Sequence, residues 1–308
     1  MQKDESEAKP PTSENQQAHP ALPSSQTLIY FLSSLSTGVI TTGIFNPMDR
    51  ALYLAIIKKR PLWVKANFVS PYQGCLSAMG QKSIFGSLYY ITQDQAKIHL
   101  QPYLLTQLHS GEVVANIGVG CFAGSIHAIF SNPLNSVKYQ TWGDDEACYL
   151  KTAQKMWKMK QLEPFIRGTR ATIYRGITFG SIYEVLRNLL RQKLNPEETQ
   201  KPQNKLMTVD FAANTTSAIL STIAASPFNY ARNIQYKMPL QQPAPTVKEI
   251  LISTHKESKT QNKTLLSRIN FFSKTFQLGW GTVRVGVGIA TGQIIFDEAK
   301  KQFTKHLS

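Results

Sequence analysis

Residues 28–49 read LIYFLSSLSTGVITTGIFNPMD. From Leu28 to Met48 there is no Asp, Glu, Lys or Arg, and these 21 residues are enough for a helix to cross a hydrocarbon layer of about 30 Å. Residues 113–137 and 211–231 are uncharged in the same way, over 25 and 21 residues. Each stretch carries a proline with an Asx residue two positions on: Asn46-Pro47-Met48-Asp49, Asn132-Pro133-Leu134-Asn135 and Ser226-Pro227-Phe228-Asn229. The prolines are 86 and 94 residues apart, so the chain reads as three repeats. Short side chains recur 13 and nine positions before each proline, at Ser34 and Gly38, Gly120 and Gly124, and Asn214 and Ala218. Such a face lets helix backbones approach closely in lipid.

A second, less apolar segment follows each stretch, over residues 74–100, 168–191 and 278–301. These segments are amphipathic. If they span, their polar stripe must face protein or a water-filled cavity. The pattern predicts an all-α membrane protein: three pseudo-symmetric repeats forming a bundle of six transmembrane helices with a central cavity. The repeats are assigned to residues 28–105, 106–200 and 201–308, after a disordered polar tail at 1–27. The connector at 237–275 is long, basic and polar, which predicts a solvent loop.

Whole-chain averages conceal this. The 308 residues carry 34 Lys and Arg against 19 Asp and Glu, for +15, and the mean hydropathy is only −0.23. The tail carries −2, leaving +17 on the body, which points to an anionic partner. With 42% hydrophobic and 10% aromatic residues the chain is no disordered polymer. Cys75, Cys121 and Cys148 are odd in number and lack ligand spacing, so neither a disulfide scaffold nor a metal site is expected. No Walker loop and no nucleophile–base constellation occurs; residues 286–292 are glycine-rich but read as helix packing. The expectation is a protein that is not an enzyme, uses no cofactor and binds no nucleic acid.

Proline, an acid two residues on and a base five on, repeated three times at about this period, is the signature of the mitochondrial carrier family, which this chain resembles with departures: Asp49 with Leu52 in the first repeat, Asn135 with Lys138 in the second and Asn229 with Arg232 in the third. Gln93-Asp94-Gln95-Ala96-Lys97 and Phe296-Asp297-Glu298-Ala299-Lys300 are similar to its aromatic–acid–x–x–basic motif. Tyr72-Gln73-Gly74 and Ile166-Arg167-Gly168 are similar to its aromatic–basic–glycine motif. The resemblance covers residues 28 to about 301. It implies a monomeric transporter of the mitochondrial inner membrane, contacting anionic lipid, with salt-bridge networks on two sides that open alternately. Acidic tail, eroded motifs and Lys/Gln/Asn-rich loops are also similar to carriers that an intracellular bacterium secretes into host mitochondria; a divergent protist or fungal carrier fits as well.

On the family pattern the acid of one repeat pairs with the base of the next. The inner gate is then Asp49–Lys138 as an ion pair, Asn135–Arg232 as a charge–dipole contact and Asn229 facing Leu52, with Gln140 as a bracing glutamine. The outer gate is Asp94–Arg191 and Asp297–Lys97 as ion pairs, with Asn188–Lys300 as a polar contact. The inner gate comes out weaker, although an exposed pair is worth under about 1 kcal/mol.

The resemblance also places substrate contacts midway along the second helix of each repeat, at Gln81 with Lys82, at Arg175 with Gly176 and Ile177, and at Arg284. Guanidinium forks match phosphate or carboxylate oxygens, so the arginines argue for an anionic substrate. Glycine followed by an aliphatic residue goes with nucleotides in the family, which points to ATP or ADP; a di- or tricarboxylate or an amino acid is the alternative, and a non-transporting membrane adaptor another. Tyr174 and Phe179 are candidate stacking partners. His127 is read as a packed histidine close to the cavity.

Overall fold

The computed structural model describes residues 24–106, 111–142, 148–194, 203–261 and 264–307. Among them the chain is all-α, with no strand. Six long helices dominate: α1 (Ser24–Ile57), α2 (Cys75–Gln95), α4 (Glu112–Trp142), α7 (Thr169–Leu194), α8 (Gln203–Lys237) and α11 (Trp280–Leu307). Between them lie the shorter α3 (Gln101–Thr106), α5 (Tyr149–Lys160), α6 (Glu163–Ile166), α9 (Val247–Gln261) and α10 (Leu265–Thr275). A π-helical turn, Ala96–Leu100, carries α2 into α3. The long helices pack in a closed circuit: α1 on α2, α2 on α4, α4 on α7, α7 on α8, α8 on α11, and α11 back on α1.

Pro47, Pro133 and Pro227 do not end their helices, which run on to Ile57, Trp142 and Lys237. Proline removes one helical N–H and orphans the carbonyl four residues back. For Pro227 that carbonyl belongs to Ile223, and the Ser226 hydroxyl donates to it at 2.7 Å. The residue before each of the other two prolines ties down the loop beyond. Asn46 donates to the Pro71 carbonyl at 2.8 Å, and Asn132 to the Phe165 and Arg167 carbonyls at 2.9 Å each. Both loops then turn through a left-handed glycine, Gly74 and Gly168, directly before α2 and α7.

The side chains are distributed inside out. Leu35, Val39, Ile40 and Ile44 of α1, Phe122, Ile129 and Phe130 of α4, and Leu220 and Ile223 of α8 are exposed. On the same helices Ser33, Ser34, Thr41, Thr42, Ser131, Asn132, Asn214, Ser217 and Ser221 are buried. Apolar side chains are buried on these helices too, among them Tyr53, Leu54 and Ile57 of α1 and Val119, Val137 and Trp142 of α4. Among the described residues two helices are long and apolar enough to cross a membrane, over Leu28–Ile57 and Glu112–Trp142. The third uncharged stretch falls short of that measure: Asn214, Thr215, Thr216, Ser217, Ser221 and Thr222 dilute its hydropathy without adding charge.

Two boundaries differ from expectation. Helix α1 begins at Ser24, inside the expected tail; residues 1–23 lie outside the described residues. The expected loop at 237–275 holds α9 and α10. Val247, Ile250, Thr254 and Ser258 bury one face of α9 at helical spacing, a period hidden by the hydroxyls within it.

In the first two repeats the glycines before the proline meet the second helix of the same repeat. A Cβ on Gly38 would lie 2.7 Å from the Ser83 backbone nitrogen, and one on Gly124 would lie 2.8 Å from the Gly176 carbonyl oxygen. Backbone cannot yield as a flexible side chain does. Gly124→Leu is therefore expected to lower stability by about 2–3 kcal/mol. Gly80→Ala, inside α2 and with nothing within 4 Å of the added Cβ, should raise the thermal midpoint of the detergent-solubilised protein slightly, because alanine favours the helix by about 0.5–1 kcal/mol.

Candidate functional site

Helices α1, α2, α4, α7, α8 and α11 all contribute walls to one cavity of about 290 Å³. Among the described residues its lining holds five cationic side chains, Lys82, Lys138, Arg175, Arg232 and Arg284, and a single carboxylate, Asp49. Helical geometry explains how each arrives. Asp49, Leu52, Tyr53 and Ile56 share a face of α1 beyond Pro47, at spacings of three, one and three residues. Arg175 and Phe179 stand four apart on α7 and reach the cavity together.

The cations are held in different ways. Arg284 donates to the Asp49 carboxylate, and Lys82 Nζ lies 3.8 Å from the same oxygen. The Arg284 guanidinium also lies 4.8 Å from the Phe45 ring centroid. Lys138 sits over the Tyr139 and Trp142 rings, at 5.0 and 4.8 Å. Arg232 donates to Asn229 at 2.7 Å and to the Tyr139 hydroxyl at 3.1 Å. Arg175 has no carboxylate partner among the described residues, which leaves its fork available to a ligand.

Of the expected substrate contacts, Gln81, Lys82, Arg175 and Arg284 line the cavity. Gly176 and Ile177 do not. One residue along a helix is a rotation of about 100°, which turns Gly176 from the Arg175 face onto α4. There its backbone meets that of Gly124, so no side chain fits between. Gln81 spends its amide on the Ser131 carbonyl at 3.3 Å. Phe179 lines the cavity, whereas Tyr174 is half exposed and packs near Phe228. His127 also lines it, with Nδ1 3.2 Å from the Phe85 carbonyl.

The expected inner pairs are not formed. Asp49, Asn135, Lys138, Asn229 and Arg232 all border the cavity, but Asp49 pairs with Arg284 rather than Lys138, and Arg232 bonds Asn229 rather than Asn135. Gln140 stands off the lining and donates to the Tyr236 carbonyl, and to that of Met238 at 3.5 Å. It braces the end of α8 rather than an ion pair.

At the opposite ends of the helices the expected partners are also exchanged. Lys97 pairs with Glu184 at 3.7 Å instead of Asp297, and Arg191 with Asp210 at 2.8 Å. Lys300 donates to the Tyr30 hydroxyl at 3.0 Å rather than meeting Asn188. Asp297 accepts from Gln293 at 2.9 Å. The Asp94 side chain lies outside the described residues. Glu184 was missed for a legible reason: Tyr183-Glu184-Val185-Leu186-Arg187 has the same aromatic–acid–x–x–basic spacing as Phe296 to Lys300, one turn before the Asn188 and Arg191 chosen instead.

Beyond the cavity, Arg167 fastens the connectors together. It donates to Glu163 at 3.0 Å and to the carbonyls of Pro239, Leu240 and Gln242 at 3.0, 3.0 and 2.7 Å. Its hydrogen bond, with that of Lys160, holds the Glu163 carboxyl below the usual carboxylate range. The chain matches no protein-family model, and no curated protein matches it.

The Lys97–Glu184 pair is uneven, with the glutamate side chain 7% exposed and the lysine 41%. Removing the lysine strands a buried charge, whereas both Arg191 and Asp210 reach water. Lys97→Met is expected to lower stability by about 1–2 kcal/mol, and Asp210→Asn by under about 0.5 kcal/mol, in thermal unfolding of the full chain.

Proposed function

We propose that the protein is a transmembrane transporter of the mitochondrial carrier type, in which three helix–loop–helix repeats form six spanning helices around the cavity. It moves an anionic solute by alternating access. The observation that carries this reading is the cavity itself, where five cations face one carboxylate between six long helices. Charge of this kind at membrane depth is costly and is retained for ions or substrates that cross. The inside-out burial supports the membrane, because lipid rather than water solvates the exposed Leu, Ile and Phe faces. Cross-helix contacts through Lys97, Arg191 and Lys300 fasten one end. At the other end Asp49, Lys138 and Arg232 stay apart from one another, which fits a conformation open on that side.

A nucleotide such as ATP or ADP is the first candidate. Its phosphates engage several cations at once, and the Phe85 and Phe179 rings line the cavity where a base would lie. A di- or tricarboxylate is the second. It is favoured by a volume of about 290 Å³, at the small end for ligand sites, and by the closed Gly124–Gly176 contact, which leaves no notch for a base. The mitochondrial inner membrane is the proposed location, the host's if the protein is secreted into a cell.

Reconstituting the full chain in anionic-lipid vesicles and following uptake of labelled ATP, ADP, citrate and malate tests the reading. Saturable uptake of at least one anion is expected, reduced at least about tenfold by Arg175→Ala, the equivalent of about 1.4 kcal/mol. If no anion in the panel moves, the membrane-adaptor alternative replaces transport. Uptake indifferent to Arg175→Ala removes the cavity from the pathway.

A further inference from the structure

Among the described residues Asp49 is the one acid lining a cavity whose purpose, on the reading above, is to hold an anion from outside. Its carboxylate oxygen Oδ2 takes both the Arg284 fork and the Lys82 ammonium. Arg284 is fixed from a second direction by the Phe45 ring, so the fork is oriented toward the carboxylate before any ligand arrives. The two cations come from different helices, α2 and α11, and the acid from a third, α1. Arg284 is 14% exposed and Asp49 26%, so the pair is shielded yet reachable from the cavity. The remaining cations are satisfied elsewhere or free: Lys138 by rings, Arg232 by an amide and a phenol, Arg175 by no carboxylate.

We propose that Asp49 is a built-in competitor for the anion seat formed by Arg284 and Lys82, and that it sets which anions the cavity accepts. The proposal rests on the transport reading and names a specificity-determining residue within it. An entering anion must displace a carboxylate already held by two cations. A monoanion offers one carboxylate for another and gains nothing by the exchange. An anion with two or more charges reaches Arg175 with the second group while replacing Asp49 with the first, and this added contact drives displacement. The expected result is a cavity that discriminates by charge number more than by shape.

The test uses the purified full chain in detergent, with ATP, citrate and pyruvate as probes. Binding is measured by calorimetry on the wild type, Asp49→Asn and Arg284→Gln, with circular dichroism to verify the helical fold of each. For the wild type, ATP or citrate should bind and pyruvate should not. Asp49→Asn keeps the side-chain shape and removes the competitor; the polyanion should bind about tenfold tighter, and pyruvate should become measurable. Arg284→Gln should weaken the polyanion and, in combination with Asp49→Asn, cancel the gain. A polyanion affinity that is unchanged or weaker in Asp49→Asn overturns the proposal while leaving the transport reading intact. Absence of binding by all three anions to both proteins overturns both. Should Asp49→Asn fail to fold, Asp49→Ser serves the same comparison, and the thermal-stability coupling between Asp49→Asn and Arg284→Gln gives a ligand-free check. Additive effects of those two substitutions would mean that Asp49 does not occupy the Arg284 seat, and would overturn the proposal.

Discussion

Five cations around one carboxylate repel one another, and the arrangement of the cavity follows from how that repulsion is managed. Two like charges about 8 Å apart cost about 2 kcal/mol at an effective dielectric near 20. The protein offsets this without adding acids. Aromatic faces take Lys138, an amide and a phenol take Arg232, and Asp49 is shared by Lys82 and Arg284. Arg175 is left, and with it an excess of positive charge that, on the proposed function, a bound anion would neutralise. Each remedy depends on a helix arriving at the right rotation, so the packing of the long helices and the electrostatics of the cavity constrain each other.

That packing is secured at backbone level. Gly120 and Gly124 lie against Gly180 and Gly176, and Gly38 against Ser83, at distances that allow no additional carbon. These contacts set the rotation of α7, turning Arg175 and Phe179 inward and Gly176 away. The same residue that the resemblance offers as a seat for a base is thus occupied in holding the helix that presents the arginine. Farther along, Trp142 and Tyr236 close over the turns at Gly74 and Gly168, so the end of one long helix locks the start of another.

Much of the helical order was legible in the sequence because charge-free runs, prolines at a regular period and paired small residues each report a physical requirement. Uncharged length reports an apolar surround, and small residues report close backbones. Gln81, Lys82, Arg175 and Arg284 could be assigned to one cavity from their place in the repeat. Partner choice could not. Asp49 reaches Arg284 across 235 positions, and nothing local to either residue distinguishes that partner from Lys138. Glu184 was legible but overlooked in favour of a charge one turn later. Helix α9 was hidden because its buried face is half hydroxyl.

Helix α8 is also where the proposed function is most exposed to test, since on that proposal its polar face meets a water-filled cavity and its apolar face lipid. Thr222 lines the cavity, and Leu220, two residues earlier, is exposed on the outside. With Cys75, Cys121 and Cys148 replaced by serine, single cysteines at these two positions can be challenged in sealed vesicles with a charged, membrane-impermeant thiol reagent. The account predicts that the cysteine at 222 reacts, with protection by the transported anion, and that the one at 220 does not. Equal reaction at both positions would mean that water surrounds the helix, and would contradict it.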